Sequence, residues 1–571
     1  MSLMLNLTAE KSLARLLMFG GAFISILVWT TVTDPVNVTK LLAMGGVAGA
    51  AIAISLSFGA KDIWKSYKLP ISLLALFLLT VLNSVFQSEA PISQLLYGAY
   101  GRNTGLVTYV LLIFLFISAL SLSQKDSFLK ISYGILIAGA VNVAYSLWVI
   151  LFGDFVGWSN PYGNILGTFG NPNFVGSFLG IFVSILFAYI IKPNLKLIYR
   201  AALTLLLLLT FIEIQSSNAI QGIVVAGGGI SLVGFYFLRS KFKSNVIPAI
   251  YSVAVFVVGI FALMGALQKG PLTSLIYKNS VSLRGEYWQA AWNMGNKFPF
   301  SGVGMDTYGD WYRQLRDDQA LINPGPNTIT NAAHNVILDQ FAYGGWPMLL
   351  SYLAIFPLVI IAIFRVSLRS REFDFAFISL AVAWICYQVQ SVISINQIGL
   401  AIWGWILGGA LIAYEKVTRT SQDSDVKSST PNGRRVKKKE NLGISPLMTG
   451  TLGAVVGLLI AVPPYSSDSA WNSALKSGDL NKIEKSLQTS YLNPQNSNRY
   501  LTLFQLLEAN KLFDLSYKYA KVATEFNPDS FDAWLMLYYS QKATPAEKAL
   551  AKENLSNLDP LNPDIFTAHE Q

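Results

Sequence analysis

The chain has 571 residues, of which 53% are hydrophobic and only 13% are charged, and its mean hydropathy is +0.45. Many uninterrupted apolar runs of membrane-spanning length predict an all-α, polytopic membrane protein and exclude an ordinary soluble enzyme. The formal net charge of +10 would suggest a nucleic-acid partner in a soluble protein, but the basic residues here cluster in short connectors between apolar runs. We interpret them as topology determinants and expect no nucleic-acid partner.

Cysteine and histidine are scarce. The single cysteine, Cys386, lies inside an apolar run, which excludes an intrachain disulfide and a thiolate metal cluster. The chain has only two histidines, His334 and His569, so we predict no metal site and no cofactor.

Thirteen membrane spans are predicted. The first run lacks a small-residue cleavage site and is followed at once by another run, so it reads as a retained span and not as a removable signal peptide. The predicted spans lie near 13–32, 39–58, 70–87, 104–123, 131–152, 173–191, 198–214, 219–238, 246–266, 341–364, 374–393, 398–415 and 446–463.

The basic connectors predict the orientation of the chain. If the N-terminus, with Lys11 and Arg15, lies in the cytosol, most of these connectors fall on the cytosolic side. The alternation is imperfect, because two of the connectors are separated by two predicted spans. The connectors are Lys61/Lys65/Lys68, Lys125/Lys130, Lys192/Lys196/Arg200, Arg239/Lys241/Lys243 and Arg365/Arg369/Arg371.

The predicted domain order follows from these spans. A membrane domain covers 1–415 and contains a large external loop at 268–340. A polar, basic linker at 416–445 is predicted to be disordered in the cytosol beside the anionic leaflet. A further span at 446–463 then carries residues 464–571 to the external side.

The C-terminal module has a periodic pattern. Asn-Pro or Asp-Pro pairs begin at Asn493, Asn527 and Asp559, so the spacings are 34 and 32 residues. This period, with helical spacing of apolar residues between the pairs, predicts two to three tetratricopeptide-like repeats. Such repeats stack into a concave surface suited to a peptide, a protein or a glycan. The alternative is a small helical cap without a partner.

Two short motifs open spans from the predicted external side. The first, Tyr100-Gly-Arg102-Asn-Thr-Gly-Leu106, places an arginine where it could snorkel to lipid headgroups. The second, Gly167-Thr-Phe-Gly-Asn171-Pro172-Asn173-Phe174, reads as a helix start in which Asn171 caps the helix and Pro172 occupies its first turn.

Three further motifs lie in or beside the large external loop. The segment from Arg284 through Trp288 to Trp292 predicts an amphipathic helix, which alone could be an interfacial anchor. Gly302-Val-Gly304 lies in a turn-rich connector. His334-Asn335 opens the next span and is followed by Gly344-Gly345.

Taken in order over about residues 13–415, these motifs resemble the O-antigen ligase and polymerase superfamily. That superfamily includes lipopolysaccharide O-antigen ligases, oligosaccharide polymerases and protein O-oligosaccharyltransferases. The resemblance implies a GT-C-like glycosyltransferase of the bacterial cytoplasmic membrane. Its donor would be a glycan linked through diphosphate to undecaprenol, and its acceptor an external hydroxyl of a glycan, a lipid or a protein. The transfer would need neither a metal nor a nucleotide sugar.

The residue chemistry suggests roles within that reaction. Arg284 and Arg102 could hold the diphosphate, because a guanidinium fork matches phosphate oxygens. His334 could act as the general base on the acceptor or stay protonated as a phosphate ligand. Further predicted contacts to the donor are Asn171, Asn173, Gln221, Trp288 and Asn335, and three nearby carboxylates are expected to be solvated or orienting: Asp306, Asp310 and Asp339.

The chain departs from the family pattern at one span. Many members carry an arginine motif at the span that here begins Gln215-Ser-Ser-Asn218-Ala-Ile-Gln221-Gly222, and this chain has no arginine there. Gln221 could supply hydrogen bonds but no charge.

Two alternative functions stay open. They are a transporter, given the number of spans, and a non-catalytic envelope scaffold whose repeats bind a protein partner.

Overall fold

The computed structural model describes residues 2–57, 59–427, 445–562 and 565. These residues form twenty-six α-helices and one 3₁₀ turn at Gly167–Phe169. The all-α prediction is therefore confirmed. Residues 428–444, which hold most of the predicted basic linker, lie outside the described residues.

The membrane domain contains the first twenty helices. They are α1 (Ser2–Ile26), α2 (Asn37–Ser57), α3 (Ala60–Ser66), α4 (Lys68–Gln87), α5 (Ile92–Tyr97), α6 (Leu106–Leu120), α7 (Lys125–Phe152), α8 (Pro172–Ile190), α9 (Leu197–Ser216), α10 (Ile220–Lys241), α11 (Val246–Ala266), α12 (Thr273–Ile276), α13 (Asn279–Ser282), α14 (Arg284–Lys297), α15 (Tyr308–Leu315), α16 (Asp318–Ile322), α17 (Val336–Leu353), α18 (Ile355–Arg369), α19 (Phe375–Ser391) and α20 (Ile398–Lys427).

Six helices follow residue 444. They are α21 (Pro446–Ser477), α22 (Leu480–Ser486), α23 (Ser497–Ala509), α24 (Phe513–Phe526), α25 (Phe531–Tyr539) and α26 (Pro545–Leu558).

Every predicted span corresponds to a helix in the structure. Ten helical segments are long and apolar enough to cross a membrane, and α17 and α18 together form one of them, at Val336–Arg369. Two more predicted spans are the shorter apolar helices α6 and α19. Helix α1 covers the remaining predicted span.

All five basic connectors lie at one end of the helix bundle, which we call the basic face. Arg371 donates to the carbonyl of Lys243 at 2.6 Å, and Lys416 donates to the carbonyl of Ser66 at 2.9 Å. The same end holds a cavity of about 680 Å³ lined by residues that include Lys125 and Lys192. The connectors Lys192/Lys196/Arg200 and Arg239/Lys241/Lys243 also lie at this end. They are separated by two helices, α9 and α10, and two spans return the chain to the same side of the bundle.

The opposite end, which we call the C-terminal face, carries the predicted external loops. Asn37 Nδ2 donates to the carbonyl of Gly101 at 2.8 Å, and Lys278 Nζ donates to Asn218 Oδ1 at 2.8 Å. Ser93 Oγ reaches across to the carbonyl of Gln495 in the C-terminal module at 2.8 Å.

Helix α21 is an integral part of the bundle, because it packs closely against α2. A side chain added at Gly49 of α2 would meet the backbone of Gly453, and one added at Gly457 would meet the backbone of Gly45. Small residues four apart on both helices thus bring the two backbones into contact, as in other tightly packed membrane helices.

Two predicted boundaries differ from the structure. The linker was expected to begin at 416, but α20 continues to Lys427. The C-terminal module was expected to begin at 464, but α21 runs on through Pro463 and Pro464 to Ser477. Pro463 has no N–H for the carbonyl of Leu459, and the hydroxyl of Tyr491 donates to that carbonyl in its place.

The C-terminal module consists of helical hairpins. Helices α23 and α24 pack together, as do α25 and α26, and the Asn527-Pro528 pair separates the two hairpins. The assignment of these hairpins to tetratricopeptide repeats stays a prediction.

Two carboxylates join this module to the C-terminal face. Asp468 accepts hydrogen bonds from the backbone N–H groups of Thr33 at 2.8 Å and Asp34 at 2.9 Å. Asp559 pairs with Arg316 Nη2 at 2.7 Å and with Arg313 Nη1 at 3.0 Å, and the Asp559 side chain is fully buried. The module is therefore fixed against the C-terminal face of the membrane domain.

We expect Asp559→Ala to loosen the C-terminal module. Breaking a buried ion pair leaves an uncompensated charge, which typically costs about 3–5 kcal/mol. The matched control is Asp514→Ala in the same module, since Asp514 forms a surface ion pair with Lys542 and its side chain is 86% exposed. Limited proteolysis of purified protein should show faster cleavage of the module in the first variant alone. Equal cleavage rates in the two variants would contradict this role of Asp559.

Candidate functional site

The site is built around a break in α17. Gly344 and Gly345 have non-helical backbone angles, and Gly345 has φ 61°. The interruption frees the carbonyl groups of Ala342 and Tyr343, which accept the N–H groups of Val303 at 2.9 Å and Gly304 at 3.2 Å.

The Gly302-Val-Gly304 and Gly344-Gly345 motifs therefore contact each other directly. Gly302 has φ 62°, and a side chain there would collide with the backbone of Tyr343 and Gly344. The glycines allow the loop to lie against the helix at this point.

Arg102 and Asp306 form the buried centre of the cluster. Arg102 Nε lies 2.9 Å from Asp306 Oδ1, and both side chains are at most 2% exposed. Asp306 Oδ2 accepts the backbone N–H groups of Ala99 at 2.9 Å and Thr104 at 3.2 Å. The pair thus joins the loop before α6 to the loop before α15.

The rest of the Arg102 guanidinium is also engaged by protein groups. Nη1 donates to the carbonyl of Asn331 at 2.7 Å, and Nη2 donates to the hydroxyl of Tyr343 at 2.9 Å. Asp339 Oδ2 lies 3.9 Å from Nη2. Arg102 therefore holds the segment that leads to His334.

The segment before α17 is fixed by two capping groups. Asn335 Oδ1 accepts the N–H groups of Ile337 at 3.0 Å and Leu338 at 3.2 Å, so Asn335 is the helix cap. Asp339 Oδ1 accepts the N–H of Ala333 at 2.8 Å. His334 lies between these contacts with φ 55°, a left-handed conformation that histidine and asparagine tolerate better than most residues.

Arg284 and His334 are both neighbours of Tyr287, which lies three residues after Arg284 on α14. The imidazole of His334 packs on the Tyr287 ring, with ring centroids 5.6 Å apart. Arg284 begins α14, is 6% exposed, and its Nη1 has no hydrogen-bond partner among the described residues. No carboxylate in that part of the chain forms an ion pair with Arg284.

The electrostatics of this group favour a neutral histidine beside a buried cation. Burial, together with the positive charges of Arg284 and Arg102, lowers the pKa of His334 to about 4. Burial lowers the pKa of Arg284 to about 10, which still leaves the guanidinium protonated at neutral pH. The pair therefore combines a proton acceptor with a cation that lacks an anion.

Of the three carboxylates that we expected to be solvated or orienting, Asp306 and Asp339 are buried and Asp310 is half-buried. Asp306 and Asp339 are each 1% exposed and hold backbone groups, so they orient the loops. Asp310 accepts a hydrogen bond from Gln94 Nε2 at 2.9 Å. Of the two expected roles, the orienting one therefore applies to Asp306 and Asp339, because loop packing removes both from water.

The predicted residues of α8 and α10 form a separate group. Asn171 caps α8 by accepting the N–H of Asn173 at 2.9 Å, and Pro172 occupies the first turn as expected. Gln221 Nε2 donates to the carbonyl of Asn173 at 2.5 Å and to Ser177 Oγ at 2.7 Å. These contacts join α8 to α10 and do not reach the Arg284 group.

Three aromatic residues, Trp288, Tyr287 and Tyr343, also lie in this group. Trp288 lies on α14 one residue after Tyr287, and its indole Nε1 is buried without a hydrogen-bond partner among the described residues. Tyr287 and Tyr343 were not singled out from the sequence. The only available signal was their position inside the Arg284-to-Trp288 and Gly344-Gly345 motifs.

One comparison with known proteins bears on the site. Residues 202–353 match a family model described as O-antigen ligase. The matched segment contains Arg284, Trp288, His334 and Asn335, whereas Arg102 and Asn171 lie outside it. A search of curated proteins found no match.

The ionisation of His334 can be measured directly. We expect imidazole NMR signals of labelled protein in detergent to show His334 titrating near pH 4, well below the ordinary value of about 6.5. Because the two arginines disfavour a further positive charge, added pyrophosphate should raise this pKa. His569→Gln assigns the second histidine signal. Titration at the ordinary value, unaffected by pyrophosphate, would contradict this electrostatic description.

Proposed function

We propose that this membrane protein, which carries an O-antigen ligase domain over residues 202–353, transfers a polyprenyl-diphosphate-linked glycan to an acceptor hydroxyl. The family assignment supports a glycosyltransferase-type enzyme with a lipid-linked glycan substrate. The reaction would take place at the C-terminal face.

The observation that carries this proposal is that the buried cation Arg284 lies close enough to His334 to lower the pKa of its imidazole. A buried guanidinium with an unpaired Nη1 is costly unless an anion joins it. A diphosphate is such an anion, and the planar guanidinium can bind two of its oxygens at once. The neutral imidazole beside Arg284 can accept a proton.

The proposed step forms one bond and breaks one. The acceptor oxygen attacks the anomeric carbon of the donor, and His334 takes the hydroxyl proton. The bond from that carbon to the diphosphate oxygen breaks, and polyprenyl diphosphate leaves with the electron pair. Arg284 stabilises the charge that grows on the leaving group. Deprotonation of His334 by solvent completes the cycle.

Arg102 receives a positioning role in this proposal, in place of direct contact with the diphosphate. Its nitrogens already bind Asp306, Tyr343 and the carbonyl of Asn331. Arg102 would orient the segment that carries His334. Trp288 flanks this group on α14. Asn335 would support it as a helix cap, and Asn171, Asn173 and Gln221 would shape the neighbouring α8–α10 wall.

The orientation of the protein in the membrane follows the distribution of charge. All five basic connectors lie at the basic face, and cytosolic loops of membrane proteins carry an excess of lysine and arginine. We place the basic face in the cytosol of a bacterial cell and the C-terminal face outside it.

We expect Arg284→Lys to be as damaging as Arg284→Ala. A lysine keeps the charge but cannot reproduce the two-pronged contact, and removal of one such group typically costs about 100-fold or more in rate. The measurement is glycan transfer from a polyprenyl-diphosphate donor by purified protein in detergent, with chelator present. His334→Asn should also abolish transfer while retaining the left-handed backbone.

The control for these variants is Arg419→Ala, because Arg419 lies near the basic face with its side chain 51% exposed. It should transfer glycan like the wild type. Transfer at wild-type rates by Arg284→Lys would contradict diphosphate binding by Arg284. Absence of any transfer by the wild type, with solute flux into proteoliposomes, would favour the transporter alternative. Absence of both would favour the scaffold.

A pair of Arg102 variants tests the positioning role. Because the charge of Arg102 lowers the pKa of His334, Arg102→Gln should move the acidic limb of the kcat/KM profile to higher pH. Arg102→Lys keeps the charge but loses the geometry, so it should lower kcat without moving that limb. A purely structural role would give both variants the same profile as the wild type among the molecules that remain folded.

A further inference from the structure

A polar cavity, separate from the one at the basic face, lies between the membrane domain and the C-terminal module. Its volume is about 320 Å³, at the lower end of the range of roughly 300–1,000 Å³ that small-molecule sites occupy. The membrane domain contributes Gln94, Asn103 and Asn331 to its lining, and the module contributes Gln495, Asn496 and Asn498.

Two polar atoms of the lining lack partners. Asn103 is 4% exposed, and its Oδ1 has no hydrogen-bond partner among the described residues. Ser497 Oγ, on the opposite wall, is also buried without a hydrogen-bond partner among the described residues. Unsatisfied buried polar atoms are costly, so a ligand that hydrogen-bonds to both walls would be favoured there.

The charges of this cavity differ from those of the Arg284 group. Four aspartates line the cavity, and Arg499 is its only lining cation among the described residues. Asp306 is already paired with Arg102, and burial raises the pKa of Asp310 to about 7. The cavity therefore offers many hydrogen-bond acceptors and little positive charge, which disfavours a diphosphate.

Aromatic side chains complete the lining. Tyr97, Tyr100 and Phe526 lie in its wall among the amides and carboxylates. Amides both donate and accept, carboxylates accept from hydroxyl groups, and aromatic faces cover apolar C–H surfaces. This mixture fits the alternating hydroxyl and C–H faces of an uncharged sugar.

We propose that this interdomain cavity binds a neutral segment of the acceptor glycan, an inference that rests on the proposed transfer reaction. The cavity borders the Arg102 cluster that holds the segment leading to His334, because Asp306 and Asn331 line it and both also contact Arg102. The C-terminal module then takes part in acceptor recognition, since it supplies half of the wall.

The test fills the cavity from the module side. Asn498 lines the cavity in the first turn of α23, so Asn498→Trp should occupy part of its volume. The matched control is Asn510→Trp, since Asn510 is exposed at the other end of the same helix. Asn498→Ala removes the amide without filling the space.

Binding is measured first, by calorimetry with neutral hexose and N-acetylhexosamine oligosaccharides. We expect the wild type and Asn510→Trp to bind one class of these sugars, and Asn498→Trp to bind it about tenfold or more weakly. Pyrophosphate should not displace the sugar. The proposal would be overturned by no sugar binding, by equal binding in all variants, or by binding of a cationic peptide instead of sugars.

Transfer kinetics separate this inference from the proposed function. Asn498→Trp should raise the KM for a glycan acceptor while Arg284-dependent consumption of the donor persists. If the wild type transfers glycan and Asn498→Trp has an unchanged acceptor KM, the cavity is not the acceptor site although the enzyme assignment stands. If no variant consumes donor, the proposed function fails, and the calorimetry still decides whether the cavity binds sugar.

Discussion

The buried pair of Arg102 and Asp306 is the interaction on which the C-terminal face depends. One carboxylate holds two backbone N–H groups of the loop before α6, and one guanidinium holds the Asn331 carbonyl and the Tyr343 hydroxyl. Segments more than 200 residues apart in the chain are thereby fixed to each other. A charge buried this deeply is stable only when all of its hydrogen-bonding partners are in place. The loops that supply the partners of Arg102 and Asp306 must therefore adopt their conformations together.

That central pair explains why two nearby arginines differ in their chemistry. Arg102 is neutralised by carboxylates and therefore positions other groups, whereas Arg284 has no carboxylate partner among the described residues and can receive an anion. His334 lies within the field of both, which keeps its imidazole neutral. The division between a satisfied cation and an unsatisfied one is what turns a group of conventional side chains into a candidate reactive site.

The C-terminal module is attached to the same loops that Arg102 and Asp306 hold together. The glycine-lined contact between α2 and α21 brings the thirteenth predicted span into the bundle, and Asp468 and Asp559 then fix the hairpins on the loops. Because the arginines that bind Asp559 lie on and just after α15, the helix that follows Asp306, the module and the reactive group share a support. Acceptor recognition by the interdomain cavity would use this rigid connection.

The amino-acid sequence alone was enough to predict the helical membrane class, a helix at each proposed span and the helix cap at Asn171, and it contains the motifs around Arg284 and His334. These follow from apolar run length and local capping chemistry, which depend on neighbouring residues only. Only the folded arrangement shows that Arg102 is paired, that Asp306 and Asp339 are buried, that Gln221 joins two helices, and that α21 continues past Pro464. Each of these depends on contacts between distant segments, and a hydrophobic pattern carries no information about which loops meet.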